Sequence, residues 1–337
     1  MGNRQHAELQ TIAAQALLHW DLEGAELQLV DISENTVFKV AGKNDKSYVL
    51  RIHRPGYHTL TELNAELQWT AALNRAGISA PTSIPTRDGQ GYAEVAVPGA
   101  VQVRHVGMVE WVEGDLLDSV LDRQRNQSAR IPWFERLGRV TAQIHNQAAG
   151  WPLPATFTRH SLDADGFMGD RPFWGRFWEI PQLKSAERKL VGHVREIIYQ
   201  ALKEYGKPKE TYSLIHADLH AHNVVVNGDR LHVIDFDDAG FGWHQYELAV
   251  ALFGFQGQDN YTAIYDALIK GYRSERRLDD RSLELLPMFL LIRGLALLGW
   301  YQQRPERDRA TEIARMISYV CRRAEELQLG KLSNYVS

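Results

Sequence analysis

Apolar residues change their spacing along this chain near residue 115. Before that point they fall in short runs rich in β-favouring side chains, near 27–32, 36–41 and 47–53, separated by the turn-forming "SEN" and "GKNDK". Runs of that length bounded by such turns predict an antiparallel meander. "TLTELNAELQWTAALNRAG" follows, with Leu63, Leu67, Thr70 and Ala71 at helical spacing and Gly77 as a stop signal, so a helix is predicted there. A second hairpin is expected around "TRDGQG", with a strand before it and another through Tyr92 to Val97, and "AVQVRHVGMVEWVEG" reads as a further strand ending at Gly114. From Asp115 the pattern turns helical, over 116–125, 132–148, 185–204, 244–254, 259–273, 281–302 and 307–327. Only residues 212–235 interrupt it, with the short strands "VVVN" and "LHVIDF" on either side of "GDR". The expected class is α+β, with a first domain over 1–112, a small antiparallel sheet plus a helix, and a mostly helical second domain over 113–337.

Composition narrows the picture. Of 337 residues 44% are hydrophobic and 24% charged, enough for a substantial core and unlike a disordered chain. The net charge of −4 offers no basic field to displace counterions from nucleic-acid phosphates, so no nucleic-acid partner is expected. One cysteine, Cys321, rules out an intrachain disulfide and a cysteine-rich zinc module, and a reduced cytoplasmic setting is expected. The first twenty residues lack the apolar core of a signal peptide and read as an amphipathic helix. "MFLLIRGLALLGWY" (288–301) is short for a membrane span and carries Arg293, so it reads as a core helix and no membrane partner is expected.

Chemistry concentrates in "HADLHAHN" (216–223) and the "DFD" that follows at 235–237. A strand pair turning through "NGD" would carry Asn223 at its entry and Asp235 at its exit, on one side. An amide oxygen plus a carboxylate suits Mg²⁺, which completes its shell with water and nucleotide phosphate oxygens. Asp218 could then accept the proton of an attacking hydroxyl or orient that hydroxyl toward the γ-phosphate.

These motifs resemble the His-x-Asp-x4-Asn and Asp pair of the kinase-like phosphotransferases, within them the aminoglycoside phosphotransferase, homoserine kinase type II and choline kinase superfamily. The resemblance extends over almost the whole chain: "ENTVFKV" at the nucleotide-covering turn, "YVLRIHRP" at the third strand, "AELQWTAAL" at the glutamate-bearing helix, "VEWVEG" at the hinge and "TAQIHNQAAGWPLP" on a helix common to the family. It implies a bilobal protein-kinase-like fold, ATP and Mg²⁺ as cofactors, Asp218 as catalytic base, and Asn223 and Asp235 as metal ligands. It further implies Asp237 as a ligand for a second metal, His216 as a structural pin, Glu66 as partner of a cation on the third strand, and adenine on the backbone of Glu110 to Val112.

Two departures from the pattern stand out. Arg51 takes the place of the third-strand lysine, and its assignment requires the register in which Val49, Arg51 and His53 share a face. "DISENTVF" has no glycine, so Ser33 and Asn35 must cover the phosphates in place of a glycine-rich backbone. Glu247 is expected to brace the catalytic loop. Arg293 reads either as a paired buried arginine or as a substrate ligand, and "RPFWGRFWEIP" (171–181) either walls an acceptor pocket or packs on the second domain.

Only twelve positions separate Asp235 from Glu247, too few for the activation segment of a protein kinase, whereas residues 150–184 form a long aromatic insert. The expected activity is phosphoryl transfer from ATP to the hydroxyl of a small molecule, such as an amino alcohol or a homoserine-like compound. Two alternatives stay open: a serine/threonine protein kinase of the same fold, and a zinc-dependent hydrolase using His216, His220 and His222.

Overall fold

The computed structural model describes residues 3–32, 35–43, 45–97, 101–124, 126–304, 309–328 and 330. The chain divides into two compact units. The first comprises 1–115 together with 152–158 and 227–237; the second comprises 116–151, 159–226 and 238–337. The division therefore falls three residues beyond the 112/113 boundary read from the sequence, and two later segments return to the first unit.

The first unit opens with α1 (Asn3–Ala16), β1 (Leu27–Ile32), β2 (Thr36–Ala41), β3 (Ser47–Ile52), α2 (Leu60–Arg75), β4 (Tyr92–Ala96) and β5 (Val103–Glu110). The strands form one antiparallel sheet in the order β1-β2-β3-β5-β4. Leu9, Ile12, Ala13 and Ala16 of α1 pack with Phe38, Val40, Leu50, Ile52, Val106 and Met108 of the sheet, all buried. Each such side chain contributes on the order of 1.5–3 kcal/mol of burial. With Leu50 and Ile52 in that core, alternation turns Arg51 to the other face, which is the register the third-strand assignment needs. Helix α2 starts from a capping box, in which the Thr59 hydroxyl accepts from the Glu62 amide and the Glu62 carboxylate accepts from the Thr59 amide. The strand expected before "TRDGQG" is reduced to an isolated bridge between Ser83 and Val109; residues 86–90 close a turn through the Thr86 hydroxyl instead.

A two-residue strand, β6 (Asp115–Leu116), lies where the sequence passes into the second unit. After it come α3 (Leu117–Arg123), α4 (Ile131–Gly150), β7 (Ser161–Leu162), α5 (Ala164–Met168), α6 (Ser185–Tyr205), β8 (Tyr212–Ile215), β9 (Val224–Asn227), β10 (Arg230–Val233), β11 (Gly240–Trp243), α7 (His244–Phe253), α8 (Tyr261–Arg273), α9 (Asp280–Leu283), α10 (Leu286–Gln302) and α11 (Ala310–Gln328). The segment read as one helix over 281–302 breaks between α9 and α10, with Pro287 in the first turn of the latter.

Strand β11 escaped the sequence reading because "GFGW" is half glycine. Those glycines allow close packing in the sheet β7-β11-β8: a Cβ on Gly240 would lie 2.7 Å from the His160 ring, and one on Gly242 2.6 Å from Ile215. Helices α4 and α8 approach by the same device, since a Cβ on Gly138 would stand 2.0 Å from the Leu268 carbonyl oxygen. The stretch Asp280–Gln302 is long and apolar enough to cross a membrane, yet 78% of its most apolar window is buried inside the protein. That burial is what a core helix requires.

Candidate active site

In the first unit, charge gathers around Arg51. Its Nη1 donates to Glu66 Oε1 of α2 at 2.8 Å and its Nη2 to Asp237 Oδ1 at 3.2 Å, with Asp235 Oδ1 at 3.7 Å. Burial alone would lower the Arg51 pKa, but the carboxylates of Glu66, Asp235 and Asp237 outweigh it and hold the guanidinium firmly charged. Asp237 is almost wholly buried, and His53 Nδ1 lies 3.7 Å from its Oδ1. Burial opposes its ionisation, but the bond from His53 and the charge of Arg51 push its pKa well below the ordinary range. Its backbone carbonyl accepts from His58 Nε2 at 2.7 Å, which places that ring's proton on Nε2. Asp235 differs: its side chain is 42% exposed and its backbone sits at φ 63°, a left-handed conformation uncommon outside glycine. Phe236, between the two, buries its ring edge-on against Trp69 of α2.

In the second unit, charge gathers around Asp218. Its Oδ1 accepts from Arg293 Nη2 at 2.6 Å. Its Oδ2 accepts from Asn223 Nδ2 at 2.9 Å and lies 3.2 Å from His220 Nε2. Desolvation disfavours the ionised form, yet His220 and Arg293 prevail, and the carboxyl is held well below its usual range. Asn223 Nδ2 also donates to the Asp218 carbonyl at 2.9 Å, which fixes the amide orientation and makes Oδ1 its remaining hard donor.

The loop is held from behind. Glu247 of α7 accepts from the amides of His216 and Ala217 at 2.8 and 2.7 Å, as its expected bracing role requires. Ala217 takes φ 67°, so the loop is locally strained at the residue before Asp218. Burial raises the Glu247 pKa, against the opposing charge of His216 and the two amide bonds. Behind Glu247 the rings of His145 and His244 stack at 3.9 Å, and Tyr272 bonds His145 Nδ1 at 2.8 Å. Burial depresses both imidazoles well below 6.5, aided by Arg276 for His145 and by His145 and Arg276 for His244.

The three histidines of the loop turn to separate partners. His216 Nδ1 accepts from the Asp218 amide at 3.3 Å, His220 meets Asp218, and His222 Nδ1 lies 3.4 Å from Asp118 Oδ2. They do not converge on one point as zinc ligands must. The aromatic segment 171–181 packs within its own unit. Phe173 stacks on His160 at 3.7 Å, and Trp174 donates from Nε1 to Asp238 Oδ2 at 3.2 Å and stacks on Tyr246. Tyr246 in turn feels the charges of Arg293, Asp218 and Asp238, so the insert reaches the surroundings of Asp218 through one ring.

The other residues singled out in the sequence fare variously. Asn35 is buried, and its Oδ1 accepts from the Arg54 amide at 3.3 Å, so it pins the turn after β3. Ser33 lies outside the described residues. At the hinge run, the amides of Glu110 and Trp111 donate to the carbonyls of Thr82 and Ser47 at 2.9 and 3.1 Å. Both amides are therefore already engaged within the first unit. Arg293 and Tyr246 were the residues sequence reasoning left without a place at Asp218. The only signal was a lone arginine in an apolar helix.

Residues 27–282 match the model of the phosphotransferase enzyme family. The chain belongs to that family. A microcompartment-associated aminopropanol kinase structure is 33% identical, covers 96% of this chain and 99% of its own, and superposes with a TM-score of 0.82. Amicoumacin kinase of Bacillus subtilis (strain 168) is 24% identical over 87% of this chain and 84% of its own length. Homoserine kinase of Rhizobium meliloti (strain 1021) is 31% identical over 67% of this chain and 62% of its own length. A solved amicoumacin kinase in complex with AMP-PNP, Ca²⁺ and Ami shares the fold, with a TM-score of 0.78 at 20% identity. The enzyme is therefore a small-molecule phosphotransferase with a protein-kinase-like fold, and the hydrolase alternative falls with that assignment.

Proposed function

We propose that this enzyme transfers the γ-phosphoryl group of ATP to the hydroxyl of a small amino alcohol or homoserine-like compound, with Asp218 as the acceptor-activating carboxylate. The observation that carries the reading is the ionised Asp218, with Arg293 on one oxygen and Asn223 and His220 on the other. The acceptor oxygen forms a bond to the γ-phosphorus as the bridging bond to ADP breaks. The hydroxyl proton passes to Asp218 or, with Asp218 orienting the hydroxyl, to the transferred phosphoryl group. With so low a pKa, Asp218 acts more by orientation than as a strong base. Arg51, fixed by Glu66 and Asp237, serves the nucleotide phosphates, and Val112 and its neighbours serve the adenine. In this reading the segment that carries Ser33 and Asn35 in sequence would cover the phosphates.

Asn223 Oδ1 and the exposed Asp235 carboxylate are oxygen donors of the kind Mg²⁺ takes, so the residues present fit a divalent cation. When bound, that cation neutralises charge on the phosphates. Asp237 is buried against Arg51 and His53, a geometry that supports an anchoring role more than the second-metal role. The relatives' names, aminopropanol kinase and homoserine kinase, support a compact acceptor bearing both an amine and a hydroxyl. A panel of hydroxylated amines and amino acids, assayed for acceptor-dependent ADP release, tests the assignment. Stimulation by one such compound is expected. Stimulation solely by a protein substrate would overturn it.

A further inference from the structure

We propose that Arg293 is a positioning residue for phosphoryl transfer: from α10 it clamps Oδ1 of Asp218 and sets the plane in which that carboxylate meets the acceptor hydroxyl. The inference rests on the reading of Asp218 given above. A carboxylate on one rotatable bond has a broad torsional minimum, so its plane is not set by its own rotamer. Here it is set from two sides. Asn223 and His220, on the loop itself, hold Oδ2, while Arg293, seventy-five positions later in sequence, holds Oδ1 at 2.6 Å.

The clamp is built on a rigid base. On α10 every residue from Leu286 through Ala296 is buried, so the Arg293 backbone has little freedom. The Arg293 side chain is only 9% exposed. Asp218 and the wholly buried Tyr246 are the groups whose electrostatics act on it most strongly. An arginine serves this place better than a lysine, because its planar, always-charged fork fixes the direction of the bond to a carboxylate while an ammonium is a point charge. The alternative role for Arg293 is that of a substrate ligand. The short bond to Asp218 decides for positioning, since that nitrogen is already committed to the carboxylate.

Phosphoryl transfer depends mainly on alignment, and misplacement of the order of 1 Å can cost about a hundredfold in rate. The experiment compares Arg293→Ala, Arg293→Lys and Asp218→Asn in steady-state kinetics with the best acceptor from the panel, with ATP affinity measured by calorimetry as the control for folding. For Arg293→Ala, kcat is expected to fall at least about tenfold while acceptor and ATP KM stay within about threefold. Arg293→Lys should recover part of kcat, and added guanidinium ion should restore part of the activity of the alanine variant. An acceptor KM that rises tenfold with kcat unchanged would make Arg293 a substrate ligand and overturn the proposal. So would unchanged kinetics in both Arg293 variants. Should Arg293→Ala lose ATP binding, Arg293→Lys decides: reduced kcat at unchanged KM supports the clamp, and wild-type kinetics refutes it. If Asp218→Asn also leaves kcat intact, the reading of Asp218 fails; if only the Arg293 variants do, the clamp alone fails.

Discussion

The two charge clusters are mirror images in composition. Around Arg51 one cation is shared by Glu66, Asp235 and Asp237; around Asp218 one anion is shared by Arg293, His220 and Asn223. Their exposure differs. The Arg51, Glu66 and Asp237 side chains are 10%, 3% and 3% exposed, and only Asp235 opens outward, whereas Asp218 itself remains 22% exposed. In the first cluster the central group is buried and an outlying carboxylate is the exposed one. In the second the central carboxylate is itself partly exposed, and Arg293 beside it is buried. Removing a centre should therefore cost stability in the first cluster and rate in the second.

The largest stability effect is expected for Arg51→Met, which strands Glu66 and Asp237 as buried carboxylates. Breaking a buried pair from one side costs about 3–5 kcal/mol, to be read from urea unfolding. A loss below about 1 kcal/mol would show that water reaches this cluster and erase the contrast. Next comes Glu247→Ala, which leaves the His216 and Ala217 amides without their acceptor. At about 1–3 kcal/mol for an orphaned buried donor, it should lower stability measurably and disturb the Asp218 loop as well. If stability falls and kcat holds, the brace matters for folding only.

The smallest effect is on pH dependence. His145 and His244 are held neutral in the fold, with pKa values below the ordinary 6.5, so the unfolded chain binds protons that the native chain does not. Their contribution is complete above pH 6.5 and is lost as pH falls below it. Glu247, whose pKa is raised above 4.5, acts in the opposite sense, contributing stability at low pH that is lost as pH rises through its folded value, so it offsets part of the decline. Thermal unfolding should show a lower Tm at pH 5 than at pH 7. The slope should flatten in His145→Gln/His244→Gln, and an unchanged slope would remove these rings from the account.

Much of this was legible in the chain. The meander, α2 and the long helices followed from the spacing of apolar positions, and the Asp218, Asn223 and Asp235 motif from residue type and spacing. The Arg51–Glu66 pair followed from the resemblance and from strand register. What stayed hidden depends on packing. Strand β11 is half glycine and only four residues long, too short a pattern to read as a strand, yet close approach to His160 and Ile215 explains it. The bond by which Asn35 Oδ1 accepts from the Arg54 amide also stayed hidden, because it joins residues nineteen positions apart. Arg293 could be recognised as a buried arginine needing a partner, but no local pattern says which carboxylate, because the partner lies on another element.

The most direct test of the central claim is acceptor-dependent ADP release by wild type and Asp218→Asn, with ATP affinity measured alongside. The account predicts that the substitution lowers kcat by a factor on the order of 10²–10⁴ while ATP binding stays near wild type. Acceptor-dependent turnover at the wild-type rate in Asp218→Asn would contradict it.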